Sequence, residues 1–579
     1  MSKHYTDEKN ALIIITLLKS NGIRKIIASP GTTNMALVGS MQRDSYFQMF
    51  SAVDERSAAY MACGLAHESG EPVVLSCTGA TASRNYMPGL TEAYYRKLPV
   101  LAITSMQLLS KVGHLVPQTL DRTVKPVDTH RLSLELPVVK DDDDWWECEV
   151  KVNQAILELK RGGGGPVHIN LPTRYSRAYE TKVLPKCRVM NRFTIADALP
   201  ELNGRVAVFV GAHRAFSAEE TDALDAFCES NDAVVFCDHT SCYKGKYRVL
   251  YSLAASQDQM DLSADKPDIT IHIGEVTGDY AGMSMIGKEV WRVSEDGEIR
   301  DTFRKLRYVF EMDEKTFFQR YSKARKPVAD KYLKQCQSRL AEIRRIIPEL
   351  PFSNIWVAQQ TAHKIPDGSV IHFGILNSLR SWNFFELPRS VTSMSNVGGF
   401  GIDGGLSSLL GASLANPQKL HFLVIGDLAF FYDMNALGNR HVGNNLRIMV
   451  VNNGKGTEFR QYNHHAAHFG ADADRFISAA GHFGRKSPDL IKHYAQDLGF
   501  KYICAANKQE YEVRHQEFLT PKAGSESVVF EVFTDSDEES RALEMIRNAK
   551  KDPTSGAKSA ARRVLGDRSM RTLKKIIKS

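Results

Sequence analysis

The chain has 579 residues, too many for one hydrophobic core, so three domains of roughly 150–200 residues each are expected. Its formal net charge is +7, but residues 546–579 hold eleven basic residues against two acidic ones, which leaves the rest of the chain at about −2. A nucleic-acid-binding role is therefore not indicated for the body of the chain, and no apolar run reaches the roughly 18 residues of a membrane span.

The amino terminus and the cysteines predict a cytoplasmic protein. The first residues, MSKHYTDEKN, lack the layout of a signal peptide. Nine cysteines are scattered without a CxxC spacing, which argues against a zinc site and against a disulfide framework. We therefore expect the chain to work in a reducing compartment.

Residues 1–180 show the pattern of a parallel α/β domain. A helix is predicted over 11–19, and strands are predicted over 25–28, 47–53, 72–76, 99–104 and 165–170. These strands end at small or polar residues, so several loops are expected to meet at one edge of the sheet, where ligands bind in such folds. The loops at this edge are residues 29–33, 54–56 and 77–80.

Three features of this first domain leave alternatives open. Glu55 precedes an Ala-rich helix predicted over 58–66, where a glutamate usually serves as an N-terminal cap partner or as half of a surface ion pair. His114 and Gln118 lie in a loop after the strand at 99–104, and the histidine is either functional or simply solvated. The acidic run 141–144 is predicted to be a solvated helix start, because four adjacent side chains cannot converge on one metal ion.

Residues 185–345 are predicted to form a middle α/β domain. Strands are expected over 206–210, 233–237 and 269–273, and the last of these ends at Gly274 in the manner of a dinucleotide-binding turn. A lone glycine is weak evidence for nucleotide binding, and no full fingerprint is present. We therefore expect a structural domain without FAD, followed by a charged helical linker over 326–350.

Residues 352–545 contain the densest pattern of candidate ligands. Apolar runs at 421–425 and 448–451 end at Gly426-Asp427 and at Asn453, which predicts a strand–helix–strand unit with polar residues at both carboxyl ends. A carboxylate from Asp427, an amide oxygen from Asn453 and the carbonyl of Lys455 form a set that suits Mg²⁺. The alternative is an ordinary unit in which the aspartate caps the helix and the asparagine forms a turn.

Other segments of this third domain add further candidates. A strand predicted over 370–373 leads to Asn377 and Ser378, and a Gly-rich stretch over 395–405 precedes a helix over 406–415. His464 and His465 follow the metal turn and are either proton-handling groups or exposed loop residues. The tail over 546–579 is a basic amphipathic segment that is either solvated or docks on an acidic partner or a membrane surface.

Two motifs identify a family resemblance. The spacing from Gly426-Asp427 to Asn453 resembles the diphosphate-anchoring motif of thiamine diphosphate (ThDP) enzymes of the acetolactate synthase and pyruvate decarboxylase group, although Leu428 stands where glycine is usual. Residues 54–66, DERSAAYMACGLA, and 165–172, GPVHINLP, resemble the pyrimidine-binding domain of the same family. The motifs over 421–453 are most similar to those of the menaquinone-pathway synthase that joins 2-oxoglutarate to isochorismate.

The resemblance covers residues 5–545 and implies an α/β fold of three doubly wound parallel-sheet domains: pyrimidine-binding, middle and diphosphate-binding. It implies that Asp427, Asn453 and the Lys455 carbonyl hold Mg²⁺, and that Glu55 activates the cofactor through its pyrimidine ring. It places Ile402 as an apolar wedge under the bent cofactor, and His114, Gln118, His464 and His465 as candidates beside the reacting carbon. The implied cofactor-binding positions are Gly31, Thr32, Glu55, Thr78, Gly79, Asn377, Ser378, Gly401, Ile402, Gly426, Asp427, Leu428, Ala429, Asn453, Lys455 and Gly456.

The implied function is decarboxylation of a 2-oxo acid with transfer of the remaining fragment to an acceptor. The similar synthase carries substrate-binding arginines where this chain has Thr33, Gln107 and Val397, so a smaller donor, pyruvate, is expected. Arg84 or Arg380 could still anchor one carboxylate. The alternatives are a simple 2-oxo acid decarboxylase of the phosphonopyruvate or sulfopyruvate type and, from another class, a non-catalytic ThDP-fold binding protein. The family also implies a homodimer or homotetramer with active sites between subunits.

Overall fold

The computed structural model describes residues 4–121, 125–322, 330–482 and 487–550. It divides into two compact units, one made of Met1–Ala198 with Gly297–Glu311 and the other of Leu199–Asp296 with Met312–Ser579. The fold class is α/β, as predicted, and the strands pair in parallel. The predicted boundaries of three separate domains stay a prediction.

The elements follow one another in the α/β alternation that the sequence predicts. In the first part of the chain they are α1 Lys9–Ser20, β1 Lys25–Ala28, α2 Met35–Met41, β2 Gln48–Ser51, α3 Glu55–Ser69, β3 Val73–Thr78, α4 Thr81–Asn85, α5 Met87–Tyr95, β4 Val100–Met106, β5 Leu132–Glu135, α6 Asp142–Glu158, β6 Val167–Pro172 and β7 Asn191–Thr194. They continue as β8 Val206–Val210, α7 Ala218–Asn231, β9 Val234–Phe236, β10 Arg248–Val249, α8 Ser252–Ala255, β11 Ile269–Ile273, β12 Glu289–Val293, β13 Leu306–Glu311, α9 Glu314–Ser322 and α10 Lys331–Ile346.

The last part of the chain repeats the pattern around a further sheet. Its elements are α11 Asn354–Thr361, β14 Val370–Phe373, α12 Asn377–Trp382, β15 Thr392–Ser395, α13 Gly405–Ala415, β16 His421–Gly426, α14 Asp427–Asp433, β17 Leu446–Asn452, α15 Ala473–Phe476, α16 Leu490–Asp497, β18 Lys501–Ala505, α17 Lys508–Phe518, β19 Val528–Phe533 and α18 Ser536–Arg547. Most of the predicted tail segment lies at 551–579, outside the described residues.

The first sheet has the strand order β2-β1-β3-β4-β6-β5. Its central strands β3 and β4 are buried almost throughout, as expected when helices cover both faces of a parallel sheet. Helices α1 and α6 contribute to the core on one face, and the Ala-rich α3 packs with α5 on the other. The strand order reverses at β1, since β2 lies on one side of it and β3 on the other. A crevice is therefore expected beyond the carboxyl ends of β1 and β3.

The last sheet has the order β15-β14-β16-β17-β19-β18 and repeats this arrangement. The strand order reverses between β14 and β16, so the loops that follow these strands open onto a second crevice. In the second unit, β8 to β12 pair in the order β10-β9-β8-β11-β12, while β7 and β13 pair within the first unit. Among the described residues, no helix is long and apolar enough to cross a membrane.

Several local predictions are tested directly. The strands predicted over 25–28, 206–210, 269–273 and 370–373 are confirmed at both ends. The acidic run is confirmed as a helix start, because Asp141 accepts hydrogen bonds from the backbone N–H groups of Asp143 and Asp144, and these lower its pKa. The strand predicted over 47–53 is shorter than expected, since only 48–51 pair with β1.

Candidate active site

The predicted strand–helix–strand unit is present, with Asp427 at its centre. Strands β16 and β17 pair in parallel, and Gly426 lies opposite Val451, so both carboxyl ends meet at one edge. Asp427 is the first residue of α14 and is only 6% exposed. Burial raises its carboxyl pKa to about 7, although nearby backbone N–H groups oppose the rise. The backbone N–H of Gly454 donates one of these hydrogen bonds, at 3.1 Å.

Asn452, the last residue of β17, and Asn453, which follows it, have different partners. The Asn452 amide donates to Glu531 at 2.7 Å and accepts from the backbone N–H of Gly454 at 3.2 Å. The Asn453 Oδ1 atom, by contrast, is shielded from solvent and has no hydrogen-bond partner in the described part of the chain. Asn452 therefore holds the turn in place, and Asn453 is left with an acceptor oxygen for a ligand.

The turn after Asn453 is fixed from several sides. Gly454 has a φ of +73°, a left-handed conformation that favours glycine. The Lys455 ammonium is 2.7 Å from the Asp474 carboxylate, which also accepts from Arg460 at 2.8 Å. The backbone N–H of Gly456 donates to the Ser478 carbonyl at 2.6 Å. These contacts hold the backbone at Lys455, whose carbonyl is the third predicted metal ligand.

Residues 396–404, here called the Gly-rich loop, are held against the same helix. Asp433, at the end of α14, is buried and accepts from both the backbone N–H and the hydroxyl of Ser407 at 2.6 Å. The Asn396 amide donates to the Gly404 carbonyl at 3.2 Å and to Ser408 at 3.0 Å. Gly401 and half-buried Ile402 lie in this loop, before α13.

The Asn377 helix, α12, opens onto a cavity of about 200 Å³ within the second unit. Leu376, just before Asn377, has a φ of +71°, an uncommon backbone conformation of the kind that clusters at functional sites. The Asn377 amide hydrogen-bonds the backbone N–H and the carboxylate of Glu458, and Gln461 lies 2.8 Å away. Ser378 is buried at the second position of α12.

Arg380 and His464 also line this cavity. The Arg380 guanidinium pairs with Glu458 and lies over the Tyr280 ring at 4.7 Å, and Tyr280 in turn stacks on Phe400 of the Gly-rich loop. His464 is half-buried, and its Nδ1 accepts from the backbone N–H of Ala466 at 3.0 Å. The structure therefore brings Asn377, Arg380 and His464 together around one cavity.

In the first unit, Gly31 and Thr78 are in close contact at the crevice between β1 and β3. A Cβ atom added at Gly31 would lie 1.9 Å from Cγ2 of Thr78, so only glycine fits. Thr32 follows Gly31 on the same loop, and Gly79 follows Thr78, the last residue of β3. Gly31, Thr32, Thr78 and Gly79, four of the predicted cofactor positions of this unit, are therefore adjacent in space.

The alternative capping roles of Glu55 are not supported. Asp54 is the N-terminal cap of α3 and accepts from the backbone N–H of Ser57 at 3.2 Å. Glu55 is half-buried in the first turn and makes no ion pair within the described ranges; its nearest polar contact is the Asn85 amide at 3.5 Å. Burial raises the pKa of nearby Tyr86, and the charge of Glu55 contributes to that rise. The carboxylate is thus available for another partner.

The remaining predicted residues are exposed or half-buried. His114 and Gln118 are exposed on the loop after β4, and His465 is exposed beside His464. Leu428 and Ala429 are half-buried in the first turn of α14, next to Asp427.

Comparisons with known proteins agree with this geometry. A family model described as "Thiamine pyrophosphate enzyme, N-terminal TPP binding domain" matches residues 9–124. A relative from Bacteroides fragilis is 29% identical over 566 residues, which cover 93% of this chain and 98% of that protein. A relative from Bacteroides thetaiotaomicron is 29% identical over 567 residues with the same coverage, and one from Porphyromonas gingivalis is 25% identical over 567 residues, covering 92% and 96%. All three are named 2-succinyl-5-enolpyruvyl-6-hydroxy-3-cyclohexene-1-carboxylate synthase. The first part of the chain thus matches the thiamine diphosphate-binding domain of this enzyme family, and nearly the whole chain is similar to these synthases.

The residues of the second unit fit this cofactor and a divalent metal. A buried carboxylate with a raised pKa and a shielded amide oxygen without a partner are both unfavourable in isolation, and a cation between them would satisfy both. Among the described residues, no group of three His, Cys, Asp or Glu side chains forms a metal site. The set at Asp427 instead relies on amide and backbone oxygens, which is typical of a site where substrate phosphates complete the coordination.

Three residues of this site were not predicted from the sequence. Tyr280 lies in the middle domain, which was predicted to be structural. Nothing in the sequence indicates that its ring contacts both Arg380 and Phe400. Glu458 could have been suspected, because a charged residue three positions after Lys455 extends the metal turn. Asp433 carries a clearer signal, since it ends the helix that Asp427 begins.

Proposed function

We propose that the chain catalyses ThDP- and Mg²⁺-dependent decarboxylation of a 2-oxo acid and transfers the remaining acyl fragment to an acceptor. The observation that carries this proposal is the buried Asp427 carboxylate beside the unpartnered Asn453 oxygen. Bound thiamine diphosphate supplies an electron sink for the electron pair that is released when the 2-oxo acid loses CO₂.

The ligand set favours Mg²⁺ as the metal. Asp427, Asn453 and the Lys455 carbonyl offer only oxygen atoms, which hard cations prefer over the nitrogen and sulfur ligands typical of zinc. Mg²⁺ keeps several positions for water and phosphate, so three protein ligands are enough to hold it against a diphosphate. The Glu55 carboxylate is proposed to accept a hydrogen bond from the cofactor's pyrimidine ring, and half-buried Ile402 to support its bend.

The donor is proposed to be pyruvate. Thr33 is buried, and its hydroxyl donates to the Ser105 carbonyl at 2.6 Å; Gln107 accepts from Lys111 at 2.7 Å. Val397 is 4% exposed. Neutral side chains at these positions cannot replace a guanidinium that binds a second substrate carboxylate. Arg380 is already paired with Glu458, so it can offer at most a shared contact.

A homodimer is proposed as the minimal active form. Val53, Tyr60 and Met61, which lie on both sides of Glu55 in sequence, are 79%, 48% and 45% exposed. Apolar side chains grouped around a catalytic carboxylate favour burial against a second copy of the chain. Sedimentation velocity tests this directly, since a strict monomer at working concentration would contradict it. The cytoplasmic location of the protein, and docking of residues 546–579 on an acidic partner or a membrane surface, also stay predictions.

Product analysis separates ligation from simple decarboxylation. The enzyme would be incubated with ¹³C-labelled pyruvate, ThDP and Mg²⁺, with and without a second oxo acid or a keto-sugar as acceptor, and followed by NMR. Ligation predicts a mixed product whose formation depends on the acceptor. Stoichiometric acetaldehyde in the absence of any acceptor would identify a simple decarboxylase instead. Consumption of 2-oxoglutarate in preference to pyruvate would overturn the proposed donor.

A further inference from the structure

A strongly basic cavity lies in the second unit, apart from the candidate active site. Its volume is about 290 Å³, and it is bounded by β10, by α10 and by residues 386–389 between α12 and β15. Four cationic side chains line it: Lys244, Arg248, Arg344 and Arg389. Glu386 is the one carboxylate that lines it, so the lining carries a net charge of +3. None of these residues lines the cavity beside Asn377.

The single carboxylate is already shared between two arginines. The Arg248 guanidinium hydrogen-bonds Glu386, and Nη2 of Arg344 lies 3.5 Å from the other carboxylate oxygen. These two arginines lower the pKa of Glu386, although its burial opposes the change, so the carboxylate stays ionised. Within the described ranges, Lys244 and Arg389 have neither an ion pair nor a hydrogen bond. Two cations of the cavity thus have no ion-pair partner in the part of the chain that the structure describes.

Lys244 is the more informative of these two cations. It is half-buried, and burial, reinforced by the charge of Arg248, lowers its pKa to about 8. A buried ammonium without a counter-ion is unfavourable, and proteins usually pair such a group or bring it to the surface. Here it lies beside a second cation at the wall of a cavity, an arrangement that an anionic ligand would stabilise.

We propose that this cavity binds the phosphate group of a small phosphorylated ligand. A phosphate monoester carries close to two negative charges and three terminal oxygens at neutral pH, so it can accept from Lys244, Arg248 and Arg389 at the same time. A carboxylate has two oxygens and one charge, so it would neutralise less of the +3 lining and accept fewer hydrogen bonds from it than a phosphate. The volume leaves room for a small organic group besides the phosphate.

Isothermal titration calorimetry with inorganic phosphate tests the proposal. The enzyme is first saturated with ThDP and Mg²⁺, so that the diphosphate site cannot contribute heat, and ionic strength is held constant with chloride. The variants are Lys244→Met and Arg389→Gln; the latter residue is exposed and its replacement leaves the core intact. The matched control is Lys288→Met, which also removes one positive charge from the second unit. The Lys288 side chain is 84% exposed and pairs with Asp268. Citrate serves as a carboxylate ligand of higher charge.

The expected result is saturable binding of one phosphate per chain. Affinity should fall about tenfold in Lys244→Met and several-fold in Arg389→Gln, and should be unchanged in Lys288→Met, since only the first two residues line the cavity. Absence of saturable binding to the unmodified enzyme would overturn the proposal. So would wild-type affinity in both cavity variants, and so would binding of citrate without binding of phosphate.

Discussion

Replacing Asp427 by asparagine is expected to stabilise the cofactor-free enzyme at alkaline pH while abolishing tight cofactor binding. The carboxyl is 6% exposed, and burial raises its pKa from 3.8 to about 7. Such a group holds a proton in the folded state that it loses in the unfolded state, so stability falls as pH rises from about 4 to about 7. Above pH 7 the ionised carboxylate is buried without a cation.

The size of the effect follows from the same values. The difference between 3.8 and about 7, at about 1.4 kcal/mol per pH unit, corresponds to about 4 kcal/mol of destabilisation at pH 8. Asparagine removes this term but turns an amide N–H₂ toward backbone donors such as Gly454, which costs about 2 kcal/mol. We therefore expect Asp427→Asn to be about 2 kcal/mol more stable than the wild type at pH 8 and similar to it at pH 5.

The assay is urea unfolding of both proteins at pH 5 and pH 8, with and without ThDP and Mg²⁺. Cofactor at 100-fold its Kd should stabilise the wild type by about 2.7 kcal/mol and leave the variant unchanged, which reverses their order at pH 8. A variant that is less stable than the cofactor-free wild type at pH 8 would refute the reasoning about burial. A variant that binds ThDP with wild-type affinity would refute the role of Asp427 as a ligand.

Two further pairs of variants test the first unit. Glu55→Gln should leave the unfolding free energy within about 0.5 kcal/mol of the wild type and lower the rate of CO₂ release at least 100-fold. Asp54→Ala, by contrast, should lose about 1 kcal/mol of unfolding free energy, because it removes the N-terminal cap of α3. A Glu55→Gln enzyme with normal turnover would contradict the proposed role. Gly31→Ala should lower the melting temperature measured by calorimetry, because its methyl group would lie 1.9 Å from Thr78. Gly398→Ala, whose methyl group would enter open space, should melt close to the wild type. Equal melting temperatures for the two variants would argue against the close contact.

The sequence predicted the inner strands of the sheets better than the strands at their edges. Strands with continuous apolar runs, such as β8 and β14, were located at both ends, because burial on both faces requires such runs. β15 reads TSMS and β18 reads KYICA, and both lie at an edge of the last sheet. Edge strands need fewer apolar residues, so their short polar patterns could not be separated from loops.

The candidate site shows the same division between local pattern and tertiary contact. Asp427 and Asn453 were predicted because each follows a buried strand directly, and parallel pairing must then bring them to one edge. The structure adds a physical reason for Asn453 rather than Asn452, since the hydrogen bond of Asn452 to Glu531 shows that the amide of Asn452 is already engaged. Likewise, the cap at Asp54 rather than Glu55 depends on backbone geometry that a one-residue shift in pattern does not reveal.

The proposed decarboxylation is tested most directly by CO₂ release from pyruvate and from 2-oxoglutarate, measured with ThDP, Mg²⁺ and an excess of acceptor. We expect turnover of pyruvate that requires both ThDP and Mg²⁺ and that is lost in Glu55→Gln, whose folding should be normal. If neither acid released CO₂, or if release persisted in Glu55→Gln, the proposed decarboxylation and the role of Glu55 would be contradicted.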